Sequence, residues 1–335
     1  LRRLAPRTHA WEGEDVGVTA LLTLERCMMP VLLTLFDSPK RWEYATEMLT
    51  KQLPTILAPI DAITQAGALT LPRTERLAHA ALRVLLRVIH SPGEQRPETT
   101  RAWRKHVARL FGARGFFGGL TGSTLPLWAA VVNAWLGLET PKAATALLLS
   151  GKFSAPAGLF ASRAAEADAH ADLLRRLSFA LWAGEHNQYV GALQGMLLER
   201  LVAGFKFGLG AGVGPRAAAV GWVVQAQALL CVRVLAVRVA PEHLTALWPI
   251  AMAELQRVLL APATAPPPLL LAACQLIDTL LCVLPDDFSS FGWMFVPAAP
   301  VAGGGAAAAG ASADFAALLA PLARMEPAGD AAADA

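Results

Sequence analysis

From Leu229 to Phe295 the chain repeats apolar residues at intervals of three and four, and proline or glycine punctuates each run. That spacing is the signature of helices that are dry along one side. The last run is the cleanest. Leu269, Leu270, Ala273, Leu276, Ile277, Leu280, Leu281 and Leu284 form one broad stripe, with Gln275, Asp278 and Thr279 off it. Before it, Leu244, Leu247, Trp248, Ala251, Leu255 and Leu259 keep the same spacing, with Glu254, Gln256 and Arg257 on the other side. Pro249 interrupts that pattern and predicts either a kink or a short helix followed by a longer one. Asp286 and Asp287, just after Pro285, suit the first turn of a last short helix, where carboxylates meet free amides. A helix striped on one side needs neighbours to cover it, so consecutive stripes predict helices stacked on helices.

Upstream the pattern continues. Val16 to Phe36 is an apolar helical run with Pro30 as a kink. Lys40 to Gln65 is another, with Trp42, Leu49, Leu53, Ile56, Leu57 and Ile60 on its stripe and breaks at Pro54 and Pro59. Pro72 opens a third, and His90-Ser-Pro-Gly ends it. Pro97 starts a helix through Phe111, and a glycine-rich turn from Gly112 to Gly122 holds Phe116 and Phe117. Helices are also expected over Thr124–Leu138, Thr140–Leu149, Ser162–Trp182 and Glu185–Phe207. No two-residue alternation lasts, so no sheet is expected. Roughly a dozen helices without a fixed repeat period predict an all-α fold, an irregular α-solenoid of stacked helical hairpins. It is expected to occupy residues 1–297 as one helical domain. Residues 298–335 form an Ala/Gly-rich low-complexity tail, with a short helix at 314–325 as its one expected element.

Composition sharpens this picture in two ways. Hydrophobic residues are 55% and charged ones 16% of the 335, so the chain can fill a core but has few charges with which to wet its outside. Some apolar surface is therefore expected to be covered on several sides or to meet a partner. The net charge of +3 gives no reason to expect nucleic acid. The first residue is Leu1, so the chain is read as a piece of a longer protein. Its best candidate for a membrane span, Ala217 to Val232, has sixteen uncharged residues but contains Gln225 and Gln227 and runs into Arg233 and Arg238. It falls short of the ~20 apolar residues of a membrane span and is expected to be a central packed helix. Cys27, Cys231, Cys274 and Cys282 show no metal spacing. Cys274 and Cys282 are about 12 Å apart along one helix at ~1.5 Å per residue, too far to bridge, so free buried thiols are expected.

Catalytic patterns fail one by one. Gly208, Gly210, Gly212 and Gly214 lack a glycine at the sixth place, which is Val213, and no Gly-Lys-Ser/Thr follows. Asp168, His170 and Asp172 point to different sides of a helix, as do Glu185 and His186, and cannot share a metal. Ser123 sits outside a nucleophile elbow, and the sequence places no base for it. No catalytic, cofactor or metal residues are assigned, and no cofactor is expected.

One charged constellation stands apart. Arg101, Arg104, Lys105 and Arg109 recur at i, i+3, i+4 and i+8, with no acid between Arg101 and Arg114. This places four cations on one side of a helix whose other side carries Trp103, Val107, Leu110 and Phe111. The plain reading is a core helix with a solvated basic face. The functional readings are contact with an anionic or phosphoinositide-bearing membrane, where each cation can contribute about 1 kcal/mol, and contact with an acidic protein partner.

Arg233 to Val239, His243-Leu-Thr-Ala-Leu-Trp-Pro249, Glu254-Leu255, Ala272-Ala-Cys-Gln-Leu-Ile-Asp278 and Phe291-Gly-Trp-Met-Phe295 together resemble the carboxy-terminal region of the Dopey family of large trafficking proteins. Trp103-Arg-Lys105, Leu110-Phe111 and Phe116-Phe117 resemble it too. The resemblance implies a non-enzymatic helical scaffold, cytoplasmic and peripheral on Golgi and endosomal membranes. It implies action in vesicle-mediated trafficking with a large Arf-exchange-factor-like scaffold protein, and links to phosphatidylinositol 4-phosphate and to kinesin. The rivals are a lipid-binding module built on the basic helix at 101–109, and an enzyme of unrecognised type.

Overall fold

The computed structural model describes residues 16–28, 48, 51–58, 60–61, 72–90, 97–138, 140, 148, 162–192, 197–209, 215–260 and 265–295. Among these there is no strand, and the fold is all-α, with helices packed on helices in a solenoid-like manner. The elements are α1 (Val16–Thr23), α2 (Pro72–Ile89), α3 (Pro97–Gly112), α4 (Leu125–Gly137) and α5 (Arg163–Ala183). They continue with α6 (Leu198–Leu209), α7 (Pro215–Arg238), α8 (Trp248–Leu260), α9 (Pro267–Val283) and α10 (Pro285–Ser289). Unlabelled helical residues lie at 51–58 and 60–61.

Proline sets most of the starts. Pro72, Pro97, Pro215, Pro267 and Pro285 are first residues of α2, α3, α7, α9 and α10, while Pro126 and Pro249 are second in α4 and α8. In a first turn the missing N–H costs nothing and the fixed φ is already helical. Pro249 therefore opens α8 rather than kinking it, and a short 3₁₀ turn at Pro241–His243 precedes it. Pro54 behaves differently from expectation: it lies inside the helical run 51–58. Leu53, Ile56, Leu57 and Ile60 are all buried there, and that burial outweighs the hydrogen bond Pro54 cannot make.

The chain divides into two compact units. The first comprises Leu1–Ala155 with Trp182–Glu185. Within it α2 packs against α1, α3 and α4, burying Leu82, Val84, Leu85 and Ile89. A π-turn at Leu24–Met28 follows α1 and carries the buried Glu25, whose carboxylate accepts Nε–H of Arg83 at 3.0 Å and faces its Nη2 at 2.8 Å. The rest of the expected Val16–Phe36 helix lies outside the described residues.

The second unit comprises Pro156–Leu181 with His186–Ala335. Its middle is α7, packed against α6 and α9, and α9 in turn packs against α8 and α10. By length and composition Gly221–Arg238 is apolar enough to cross a membrane. Part of its apolar surface is used inside the unit: Val224, Ala228, Leu229, Cys231, Val232 and Leu235 are buried while Val223 and Val237 are exposed, and Gln225 donates from Nε2 to the Phe205 carbonyl at 3.1 Å. Gly204 of α6 permits this closeness. A Cβ there would meet Leu174 Cδ1 of α5 at 3.2 Å and Ala228 Cβ of α7 at 3.4 Å.

Three further expectations are corrected. The helix expected from Glu185 does not begin there; residues 186–189 form a turn, Val190–Ala192 one helical turn, and α6 starts at Leu198. Asn187 stands at φ 62°, a left-handed conformation asparagine tolerates. Its N–H donates to the Arg238 carbonyl at 3.0 Å, and its side-chain oxygen accepts the Ala240 N–H at 2.8 Å. The turn is thus held by the end of α7, a long-range partner that local pattern cannot show. On α9, Thr279 is buried and Leu281 exposed, the reverse of the stripe's assignment. Thr279 Oγ1 accepts Nε–H of Arg233 at 2.8 Å and donates to the Gln275 carbonyl at 2.8 Å. On α8, Glu254 is buried rather than outward, held by Arg257 through bonds of 2.6 and 3.0 Å. The 298–335 tail, its expected helix at 314–325, and nearly all of the expected Thr140–Leu149 helix lie outside the described residues.

Candidate interaction surface on the basic helix

The position of α3 is set by its apolar side. Trp103, Val107, Leu110 and Phe111 are buried. Phe111 meets Phe116 edge-on at 5.0 Å and Trp135 at 5.8 Å, and Phe116 meets Trp128 at 4.9 Å. Such T-shaped pairs are worth about 0.5–1.5 kcal/mol each beyond their buried area. They tie α3 and the glycine-rich turn after it to α4, so the basic side of α3 is presented on a rigid support.

That basic side is less uniformly charged than its sequence. Arg101, Arg104, Lys105 and Arg109 all lie on α3, although the Arg101 side chain is outside those described. Arg104 is half-buried and Lys105 exposed. Arg109 is ion-paired through Nη2 to Asp61 Oδ2 at 2.5 Å. Asp61 is 48 residues away in the chain, so the absence of an acid between Arg101 and Arg114 does not describe the field here. His106 lies among these cations; burial first, then Arg109, holds its pKa below the usual histidine value. Lys105 is the exposed cation of this side, and Arg109 is partly neutralised by its partner.

The fold also brings a base to Ser123 that sequence spacing does not reveal. Ser123 Oγ donates to Glu75 Oε1 at 2.5 Å, and that bond, then one from Thr121, lowers the Glu75 pKa. A carboxylate held this way is a weaker base than a free one. Thr121 and Thr124 bond each other at 3.0 Å beside it, and the group joins the start of α2 to the start of α4. Of the metal-like trio, Asp172 pairs with Arg175 at 3.4 Å and the His170 ring lies 5.1 Å from Phe207. Among the described residues no group of three or more metal-ligating side chains converges. Gly208 lies inside α6, and residues 210–214 of the glycine loop are outside those described.

A family model described as DOP1 C-terminal matches residues 60–308. Protein DOP1 homolog of Drosophila melanogaster is 33% identical over 168 residues, which is 48% of this chain and 6% of that protein. Protein dop1 of Emericella nidulans is 27% identical over 219 residues, 60% of this chain and 11% of its own length. Protein DOP1B of Xenopus laevis is 29% identical over 238 residues, 59% of this chain and 9% of its own. The chain thus spans a small part of each relative it matches. No solved structure matches it. The matched stretch includes α2 to α10 and every motif on which the resemblance rests, and the chain belongs to the DOP1, or Dopey, family, corresponding to its C-terminal region.

Proposed function

We propose that this chain is part of a non-enzymatic helical scaffold acting in vesicle-mediated trafficking at Golgi and endosomal membranes. It would work by holding other proteins on the outer sides of its helices and by touching the membrane peripherally from the cytoplasm. The observation that carries this reading is the family match over residues 60–308, laid on a fold whose helices bury one side and leave another for docking. The partners proposed with it are a large Arf-exchange-factor-like scaffold protein and a kinesin, with phosphatidylinositol 4-phosphate membranes as the surface.

The test is expression of the tagged chain in cells, scored for Golgi and endosomal localisation and for co-precipitation of the exchange-factor-like protein. Diffuse fluorescence together with an empty precipitate would overturn it. The alternative, a lipid-binding module at 101–109, has weaker support because Arg109 is paired with Asp61. Flotation with acidic liposomes tests it: Arg104→Glu with Lys105→Glu should abolish binding, and unchanged binding removes the alternative.

A further inference from the structure

α7 packs against α6 and α9, and one of its remaining sides is apolar yet not covered. Val223, Gln227, Leu230, Val234 and Val237 recur at intervals of four and three, which stacks them along one face. Val223 is 43% and Val237 47% exposed, and Gln227, Leu230 and Val234 between them are half-buried. One exposed valine is ordinary, but a row running about 21 Å along a helix, at ~1.5 Å per residue, suits contact with another helix. Arg233 and Arg238 flank the row, one on each side, and α7 contains no acid. The described residues end at Phe295, which is buried in a 3₁₀ turn, Gly292–Phe295, tied to α8 by Gln256 Nε2 donating to the Met294 carbonyl at 2.6 Å. Phe315 follows 20 residues later, and Phe315, Leu318, Leu319, Leu322 and Met325 recur at three and four as one apolar stripe. Asp314 before them suits a helix cap. Pro321 falls off the stripe, and the chain already accepts Pro54 inside a helical run whose burial compensates for it. Residues 298–335 carry four acids, Asp314, Glu326, Asp330 and Asp334, against Arg324, a net charge of −3.

We propose that the open face of α7 is the seat of this chain's own segment 314–326, laid along it as a helix with the Phe315–Met325 stripe against Val223, Leu230, Val234 and Val237. Shape, charge and reach select this occupant. Both surfaces are single apolar rows of helical spacing, so each covers the other, as amphipathic helices do. The acids of the segment complement Arg233 and Arg238, whereas a second copy would bring α7 to α7 and offer those arginines no acid. Phe295 sits on α8, and the path across α9 to α7 is two helix spacings, roughly 20 Å at 8–10 Å each. A Gly-rich link of this length bridges about 25 Å, from 5–6 Å times the square root of the residue number. Seated there, the segment withholds the α7 face from partner helices. The inference goes beyond the scaffold reading and does not rest on it.

The experiment follows hydrogen exchange of the full chain by mass spectrometry. Amides of 315–325 should exchange about tenfold or more slowly than in a variant carrying Leu318→Asp with Leu322→Asp, which spoils the segment's stripe. Val223→Asp with Val237→Asp should remove the same protection from the other side. Both valines are exposed, so that variant should fold, which circular dichroism checks. Leu271→Asp, at a position of α9 that is also exposed, should leave the protection in place. Phe315→p-benzoylphenylalanine then locates the seat in otherwise unaltered protein: irradiation should give an adduct of monomer mass joining residue 315 to α7. Absent protection, protection that survives the paired valine substitutions, or an adduct to another helix overturns the proposal. An adduct of dimer mass does so too, because it gives the segment to a second copy. Localisation and co-precipitation of the chain do not depend on this contact, so the scaffold reading stands or falls separately.

Discussion

Replacing Thr279 by valine removes one oxygen and changes almost no volume. In the structure that oxygen accepts Nε–H of Arg233 across the α7–α9 contact at 2.8 Å. A hydrogen bond to a charged group contributes about 1.5–3 kcal/mol. Thr279 is buried, but Arg233 is only partly so, and water can replace part of what is lost. The expected cost of Thr279→Val is therefore about 1–2 kcal/mol. Were Thr279 on a solvated face, as its place off the apolar stripe suggests, the change would stay within about 0.5 kcal/mol. Native-state hydrogen exchange at the amides of α7 and α9 is the right assay, because it reads opening of this contact rather than an average over two units. A double-mutant cycle with Arg233→Met should show coupling of about 1 kcal/mol. Protection in α7 and α9 unchanged by Thr279→Val, or a coupling near zero, would refute the claim that this bond joins the two helices.

Four further outcomes follow from the same geometry. Leu276→Ala, at a fully buried position of α9, should destabilise unit 2 by about 2–5 kcal/mol, measured by urea unfolding. Gly204→Val should cost about 1–3 kcal/mol by overpacking against Leu174 and Ala228, whereas the same change at Gly137, where nothing lies within 4 Å of a Cβ, lacks that clash; thermal melts of the two variants separate the cases. Burial pushes the Cys231 thiol up to about 11 from an ordinary 9.0. The folded state then keeps a proton that the unfolded state releases, so stability falls as pH rises from 9 toward 11, by up to about 1.4 kcal/mol per pH unit; Cys231→Ala should flatten that slope in pH-dependent unfolding. Cys27 and Cys282 are exposed rather than buried as expected, so under native conditions an alkylating reagent should label them and spare the buried Cys231, as intact-mass spectra with peptide mapping will show.

What the sequence determined by itself was the class and most helix starts. Period-three-and-four stripes at Leu269–Leu284 and Leu244–Leu259 need no tertiary knowledge, because a helix repeats its own face every few residues. Proline at Pro72, Pro97, Pro267 and Pro285 marks a start through a purely local constraint on φ and the missing donor. The family, too, was legible, in short runs such as Phe291-Gly-Trp-Met-Phe295.

Only the tertiary structure decided what each polar residue meets. Thr279 and Glu254 are polar by type, yet Arg233 and Arg257 allow them to be buried. Leu281 is apolar by type, yet the packing leaves it exposed. The basic helix was legible as four cations in one pattern, but Asp61 comes to Arg109 from 48 residues away, and Glu75 comes to Ser123 from the same distance. Periodicity reports which way a side chain points from its own helix. Electrostatics and hydrogen bonding depend on what another helix places there, and that information exists only once the helices have packed.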